Sequence, residues 1–350
     1  MLLRIIHRTT YRYQGSIDMA QHMVHLSPVT TPVQQVLAHR LRVQPEPASR
    51  SQTTDVFGNL RTFFSLQAPH DTLTVEADSE VNTRAPAPLP HSPAWQQRTW
   101  ESVREHFRYR AHAPFDPASE FLFASPYVPR DDAFAAFARP AFKTGLPMLE
   151  AARALMERIH TELTYETDST EVNTPALQAL EQGKGVCQDF AHIMLGCLRS
   201  LGLPARYVSG YLLTQPPPGK PRLIGADASH AWVSVYVPYS PQTAETAEDS
   251  DDVDTRAVEI KTHAHSDAAG AWFDFDPTNN RCGWGSPGED YVTLATGRDF
   301  ADVSPMRGVI QGGAQHTLEV GVTVAPPDEL AALQAAKTPA AAEPAKAPAA

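Results

Sequence analysis

GKGVCQDFAHIMLGCLRSLGLPARYVSGYL, residues 183–212, reads as a glycine turn, a helix and a strand in immediate succession. Apolar positions recur at Cys187, Ala191, Met194, Leu195, Leu198 and Leu201, one face of a 3.6-residue period. Gly202 and Pro204 stop the helix, and residues 206–213, rich in Tyr and Val, form the strand. Cys187 therefore stands in the first turn of a helix that packs one face on the core. Unpaired N–H groups and the positive end of the helix dipole favour a thiolate there, and a thiolate is the nucleophile of covalent acyl transfer. A lone cysteine in that position is more often a small buried hydrophobe. The reading turns on whether the chain also supplies a base and an orienting acid.

Two later stretches supply them. In DASHAWVSVYVP, residues 227–238, His230, Trp232, Ser234 and Tyr236 share one strand face, and Ala231, Val233, Val235 and Val237 share the other. In AWFDFDPTNN, residues 271–280, Trp272, Asp274 and Asp276 share a face, with Phe273 and Phe275 turned to the core. If these strands pair antiparallel, the start of the first lies beside the end of the second. His230 and Asp276 then meet at the open end of the hairpin, where Pro277 stops the pairing. Such a set has defined roles. The histidine takes the thiol proton and returns it to the leaving group, and the aspartate fixes the imidazole tautomer. Asp274 shares the face of Asp276 and is the competing acid; the strand-end position favours Asp276. Gln188 and the backbone N–H of Cys187 are candidates for an oxyanion hole. Asp189 and His192 read as hydrogen-bonding supports, His192 being turned well around the helix from Cys187. Trp232 shares the His230 face and completes the candidate support set.

GVCQDFAH (185–192), ARYVSGYL (205–212), DASHAWVSVYVP and WFDFDPTN (272–279) together resemble the core of the transglutaminase-like superfamily, related to papain-type thiol proteases. Residues 164–190 and 297–309 resemble the flanks of that core. HRTTYRYQGSID (7–18) and DVFGN (55–59) resemble the N-terminal β domain of bacterial transglutaminase-like proteins. The resemblance spans residues 3–325. It implies an α+β fold, a papain-like core with a Cys-bearing helix packed on an antiparallel sheet, beside a separate N-terminal β-sandwich-like domain. It maps the family's Cys, His and Asp onto Cys187, His230 and Asp276, and implies hydrolase or acyl-transferase chemistry on protein or peptide carboxamides without a cofactor. The chain departs from the pattern at 239–270, an acidic insert between the His and Asp strands. If the open end of the hairpin holds the triad, this insert leaves from the far end and reads as a flexible loop.

The remaining sequence fits this division. Residues 3–13 alternate strictly, and further strands are expected near 35–43, 60–66 and 73–81, separated by turns at Gln14-Gly15-Ser16, Pro45-Glu46-Pro47 and 55–59. That gives a β domain over 1–85, whose scattered histidines read as structural. A Pro-rich connector and helical region follows over 86–146, with Trp95, Arg98, Thr99 and Phe107 in one helix and a second helix expected over 146–163. The catalytic core is expected over 147–325, with 315–324 as one more strand. An Ala/Pro-rich disordered tail covers 326–350, with room for a short helix at 328–336.

Apolar residues make up 42% and charged residues 20% of the 350, the composition of an ordinary globular protein. The formal charge of −11 argues against a nucleic-acid or anionic-membrane partner. No run approaches the ~18 apolar residues that span a bilayer, and residues 1–13 lack the pattern of a signal peptide. The 3 cysteines are too few for a disulfide framework and suit a reducing, cytoplasmic setting. Cys197 reads as structural and Cys282 as a surface thiol. His263, His265 and Asp267 lack the second cluster that a structural metal site needs, and Gly183-Lys184-Gly185 lacks the spacing of a phosphate loop. The reading of another class is a non-catalytic scaffold that retains the triad.

Overall fold

The alternation over residues 3–13 extends much further, as β1 (Leu2–Val24), in the computed structural model of the protein. The structure describes residues 1–91, 98–112, 114–167, 169–170, 173–214, 229–238, 270–312 and 315–337. Leu3, Ile5, His7, Thr9 and Tyr13 are buried along one face, as the period of two requires. The turn expected at Gln14-Gly15-Ser16 is an irregularity within β1, where its register with β5 shifts between Arg12 and Ile17. β2 (Gln34–Gln44), β3 (Ser49–Thr54), β4 (Leu60–Leu66) and β5 (His70–Thr83) follow. Every residue of β3 is exposed and none of its sequence, SRSQTT, alternates, so periodicity gives it no signature. The sheet order is β2-β5-β1-β4-β3. β5 covers the first half of β1 and β4 the second, which folds the sheet over a shared apolar filling of Ile17, Val24, Leu41, Phe64, Leu73 and Val75.

Past the connector, the expected helix at 95–107 is shorter. Residues 92–97, including Trp95, lie outside the described residues, and the helix is Trp100–His106. Thr99 caps it by accepting a hydrogen bond from the Ser102 N–H, so the helix begins only after Thr99. The second helix, Met148–Glu162, buries Met148, Ala152, Leu155, Met156 and Ile159. β6 (Thr164–Tyr165) and β7 (Lys184–Gly185) pair in parallel on either side of helix Ala176–Gln182. Gly183 ends that helix in the left-handed region at φ 66°, where a glycine carries no Cβ penalty.

The helix Cys187–Ser200 is buried on all sides rather than on one face. Phe190, Ala191, Ile193, Met194, Leu195, Cys197 and Leu198 are all at most 1% exposed. The reason is its central place: strands lie on one side, and helices Asp132–Ala138, Met148–Glu162 and Ala176–Gln182 on the other. The buried Arg199 guanidinium anchors its far end on the carbonyls of Phe121 and Ala205 and on the Ser125 hydroxyl. The sheet beneath consists of β8 (Ala205–Leu212), β9 (Ser229–Pro238), β10 (Gly270–Asp276), β11 (Arg281–Trp284) and β12 (Tyr291–Gly297). Its order is β11-β10-β9-β8-β12, antiparallel throughout. Gly270 pairs with Pro238. Apart from Gly270, the acidic insert 239–270 lies outside the described residues, as do His263 and His265; the Gly270–Pro238 pair stands at the hairpin end away from His230.

The first sheet does not close within residues 1–85. β13 (Met306–Gly312) and β14 (His316–Ala325) return to pair with β1, against Ile17–Val24 and Arg4–Tyr13 respectively. The strand expected at 315–324 therefore forms, but on the first sheet rather than in the core. Val322 and Val324 continue the apolar face of Leu3 and Ile5 onto β14. Residues 326–350 are not a tail throughout, because Pro327–Lys337 is helical and buries Leu330; 338–350 lie outside the described residues. One apolar cluster joins Leu3, Ile5, Val81, Val322 and Val324 of the first sheet to the core below. Among the described residues no helix is long and apolar enough to cross a membrane.

Candidate active site

The hairpin β9–β10 places its side chains by register. Phe275 pairs with Val233, so Asp276 and His230 continue past the last partners at the same end. His230 Nε2 lies 2.7 Å from Asp276 Oδ2. A carboxylate can only accept, so the ring donates to it through Nε2. Asn279 Nδ2 lies 3.3 Å from the same ring nitrogen, and the Cys187 thiol is near enough to favour the protonated ring. Cys187 opens its helix and is half-buried, with the rest of its turn held from below. Asp189 accepts the Val186 N–H at 2.8 Å and the Thr170 hydroxyl at 2.6 Å. Gly185 makes room for this, since a Cβ there would sit 2.6 Å from Asp189 Oδ2.

The electrostatics follow the geometry. Burial works to lower the His230 pKa, but the hydrogen bonds to Asp276 and to Cys187 outweigh it and lift it to about 10. Burial works to raise Asp276, and the His230, Tyr291 and Asn279 hydrogen bonds reverse that and hold it below the usual carboxylate range. Five donors converge on this one carboxylate. Oδ2 takes His230, Tyr291 Oη at 2.7 Å and Asn279 Nδ2 at 2.8 Å; Oδ1 takes the Thr278 N–H at 2.9 Å and the Asn279 N–H at 3.3 Å. Asn279 and Tyr291 do not stand out in the sequence's periodicity. Asn279 follows Asp276 at the short spacing at which an aspartate caps its own turn, a signal that was legible. Tyr291 comes from β12, a neighbour in space only.

Asp274 is placed differently. It accepts from Trp232 Nε1 at 3.1 Å and from the Ser234 hydroxyl, and burial raises its pKa. Trp232 in turn packs edge-on against Tyr291 at 5.4 Å and stacks near the His230 ring at 6.2 Å. Gly210 on the next strand leaves space for this indole; a Cβ there would lie 2.6 Å from it and 2.1 Å from the Val292 carbonyl.

Among the other residues singled out, Gln188 is half-buried beside Cys187. His192 is fully buried, stacks on Tyr127 at 5.3 Å, accepts the Phe300 N–H at 3.2 Å and is pushed down to about 3 by burial. It also packs on Tyr207 at 5.1 Å. Cys197 is buried and its thiol is pushed up by burial. Cys282 is half-buried rather than a surface thiol, because β11 packs its side chain against the core. Among the described residues no group of three His, Cys, Asp or Glu is placed to hold a metal ion.

Comparison with known proteins bears on both sheets. Residues 3–82 match the bacterial transglutaminase-like N-terminal region, and residues 135–277 match the transglutaminase-like superfamily. An uncharacterized protein of Mycobacterium tuberculosis is 36% identical over 324 residues, covering 92% of each chain. One from Mycobacterium leprae is 30% identical over 326 residues, covering 92% of this chain and 98% of its own. A crystal structure from Cytophaga hutchinsonii, described as a candidate cysteine protease, superposes with a TM-score of 0.62 at 21% identity, over 93% of this chain and 90% of that one. At that identity the likeness speaks to the fold.

Proposed function

The chain belongs to the transglutaminase-like superfamily, and from that premise we propose that it is a thiol enzyme of the cysteine peptidase or amidase type, acting on a protein or peptide. One observation carries this reading: the His230 ring is hydrogen-bonded to the Asp276 carboxylate and lies within electrostatic reach of Cys187, which opens a helix. A thiol beside a base that a carboxylate orients is the arrangement that covalent acyl transfer needs.

In this mechanism the Cys187 thiolate attacks a carboxamide or peptide carbonyl and forms a C–S bond. The backbone N–H of Cys187, in the turn where a helix leaves its first donors without intrahelical partners, stabilises the oxyanion, with Gln188 beside it. The tetrahedral adduct collapses, the C–N bond breaks, and the His230 imidazolium gives its proton to the departing nitrogen. Water then attacks the thioester, His230 takes its proton, and the C–S bond breaks to release the acid. Asp276 remains ionised and keeps Nε2–H directed at itself. Water is the second nucleophile because it reaches a half-buried thiol unaided, whereas an amine must be bound and oriented. The absence of disulfides among Cys187, Cys197 and Cys282 suits a reducing, cytoplasmic setting.

The test is mass spectrometry of glutamine- and lysine-containing peptides incubated with the protein and an added primary amine, with Cys187→Ser as control. Backbone cleavage or conversion of Gln to Glu, absent in the control, is the expected result. Amine incorporation at Gln would assign the transferase outcome instead. Products that persist in Cys187→Ser would refute the nucleophile.

A further inference from the structure

β12 is an outer strand of the second sheet, with β8 on one side only. The outward N–H and C=O groups of an edge strand need partners, and one side chain of β2 and one of the 55–59 turn provide them. Gln34 Nε2 donates to the Thr293 carbonyl at 2.8 Å, and its Oε1 accepts the Thr293 N–H at 2.7 Å. Asn59 treats Thr296 the same way, Nδ2 to the carbonyl at 2.7 Å and Oδ1 from the N–H at 2.8 Å. Each carboxamide stands where the peptide of a further strand would be.

Both amides are buried and locked. Their second N–H groups go to the Val29 carbonyl at 2.6 Å and to Asp55 Oδ2 at 2.9 Å, so every donor is used and neither group can turn over. Asp55 also accepts the Phe57 and Asn59 N–H groups, which makes the 55–59 turn a rigid mount for Asn59. The spacing of the two grips depends on a register shift between Thr293 and Ala295, which turns Thr296 outward. The same strand carries Tyr291, whose hydroxyl donates to Asp276 at 2.7 Å. A few tenths of an ångström decide whether such a bond forms.

We propose that Gln34 and Asn59 are positioning residues: by gripping β12, the first sheet holds Tyr291 on Asp276 and so sets the carboxylate that orients His230. This inference rests on the proposed Cys187–His230–Asp276 reading, and its test separates the two. Iodoacetamide alkylation of Cys187, followed by mass spectrometry across pH, needs no knowledge of the substrate. Asn59→Asp combined with Gln34→Glu keeps shape but sets an oxygen against each carbonyl. The expected result is a slowing of about 5-fold or more at pH 6 with a displaced pH profile, and less than about 2-fold further slowing when the same pair is placed on Tyr291→Phe.

A folded double variant with the wild-type profile would overturn the proposal. So would equal slowing in both backgrounds, because that marks general loosening rather than action through Tyr291. Should the double variant not fold, Asn59→Asp alone is read the same way. Hydrogen exchange of the wild-type protein then adds an independent arm: residues 291–297 are expected to be as protected as 205–212, and exchange as fast as that of the exposed β13 would refute the grip. If His230→Ala alkylates like the wild type, the triad reading has failed. If it slows while the grip variants do not, only the present inference has.

Discussion

Two buried carboxylates stand two residues apart on one face of β10, and their surroundings push them in opposite directions. Asp276, at the open end of the hairpin, faces a histidine, a tyrosine and an asparagine and is held ionised. Asp274, one step inward, faces an indole N–H and a serine hydroxyl, and burial favours its protonated form. The difference lies in the donors, since both side chains are at most 6% exposed. Depth alone therefore does not determine a role: the partners that register and turn bring to each carboxylate do.

The largest effects should come from the open end of the hairpin and Cys187. Cys187→Ser and His230→Ala are each expected to lower kcat/KM by ~10³-fold or more, measured on whichever peptide the mass-spectrometric screen yields. Asp276→Asn keeps the shape but not the charge, and should cost ~10²–10³-fold with the fold intact by circular dichroism. Asp276→Asn and Asp274→Asn then form the sharpest contrast. Asn at 274 can still accept from Trp232 and Ser234, so activity should stay within ~3-fold of wild type. Equal losses at both positions would contradict the distinction between Asp276 and Asp274.

The pH dependence of stability gives an intermediate effect. His230, raised to about 10 from 6.5, adds stability that is complete below 6.5 and is lost as pH rises through about 10. Asp276, held below 3.8, adds stability that is complete above 3.8 and is lost as pH falls. Thermal melting should therefore fall from pH 7 to 10.5 in the wild type, and Asp276→Asn should remove ~half or more of that alkaline fall. An unchanged alkaline limb would mean that the ion pair does not form. Tyr291→Phe removes one donor from a carboxylate that has five, and is expected to cost ~10-fold in kcat/KM with little change in KM. Smallest of all, Cys282→Ala should leave activity at the wild-type level.

Much of this site was legible in the sequence because it depends on local rules. A glycine turn before Cys187, alternation through His230 and through Asp276, and Pro277 as a stop fix which residues meet once the strands pair antiparallel. The short turn after Asp276 was equally readable and would have yielded Asn279. Tyr291, Gln34 and Asn59 were not, because their partners lie on strands brought together only by the tertiary fold. β14 shows the same limit: its alternation marks a strand, but alternation does not say which sheet receives it. The all-round burial of the Cys187 helix was hidden too, since polar residues such as Asp189, His192 and Arg199 interrupt the apolar pattern and find partners only from other segments.

The proposed role of the His230 ring that Asp276 holds is to activate Cys187. Its most direct test is the rate of iodoacetamide alkylation at pH 6, resolved by peptide mass spectrometry at Cys187 and Cys282. Rapid modification of Cys187 that is lost in His230→Ala, with Cys282 slow in both proteins, is the predicted result. Cys187 reacting no faster than Cys282, or reacting unchanged without His230, would contradict it.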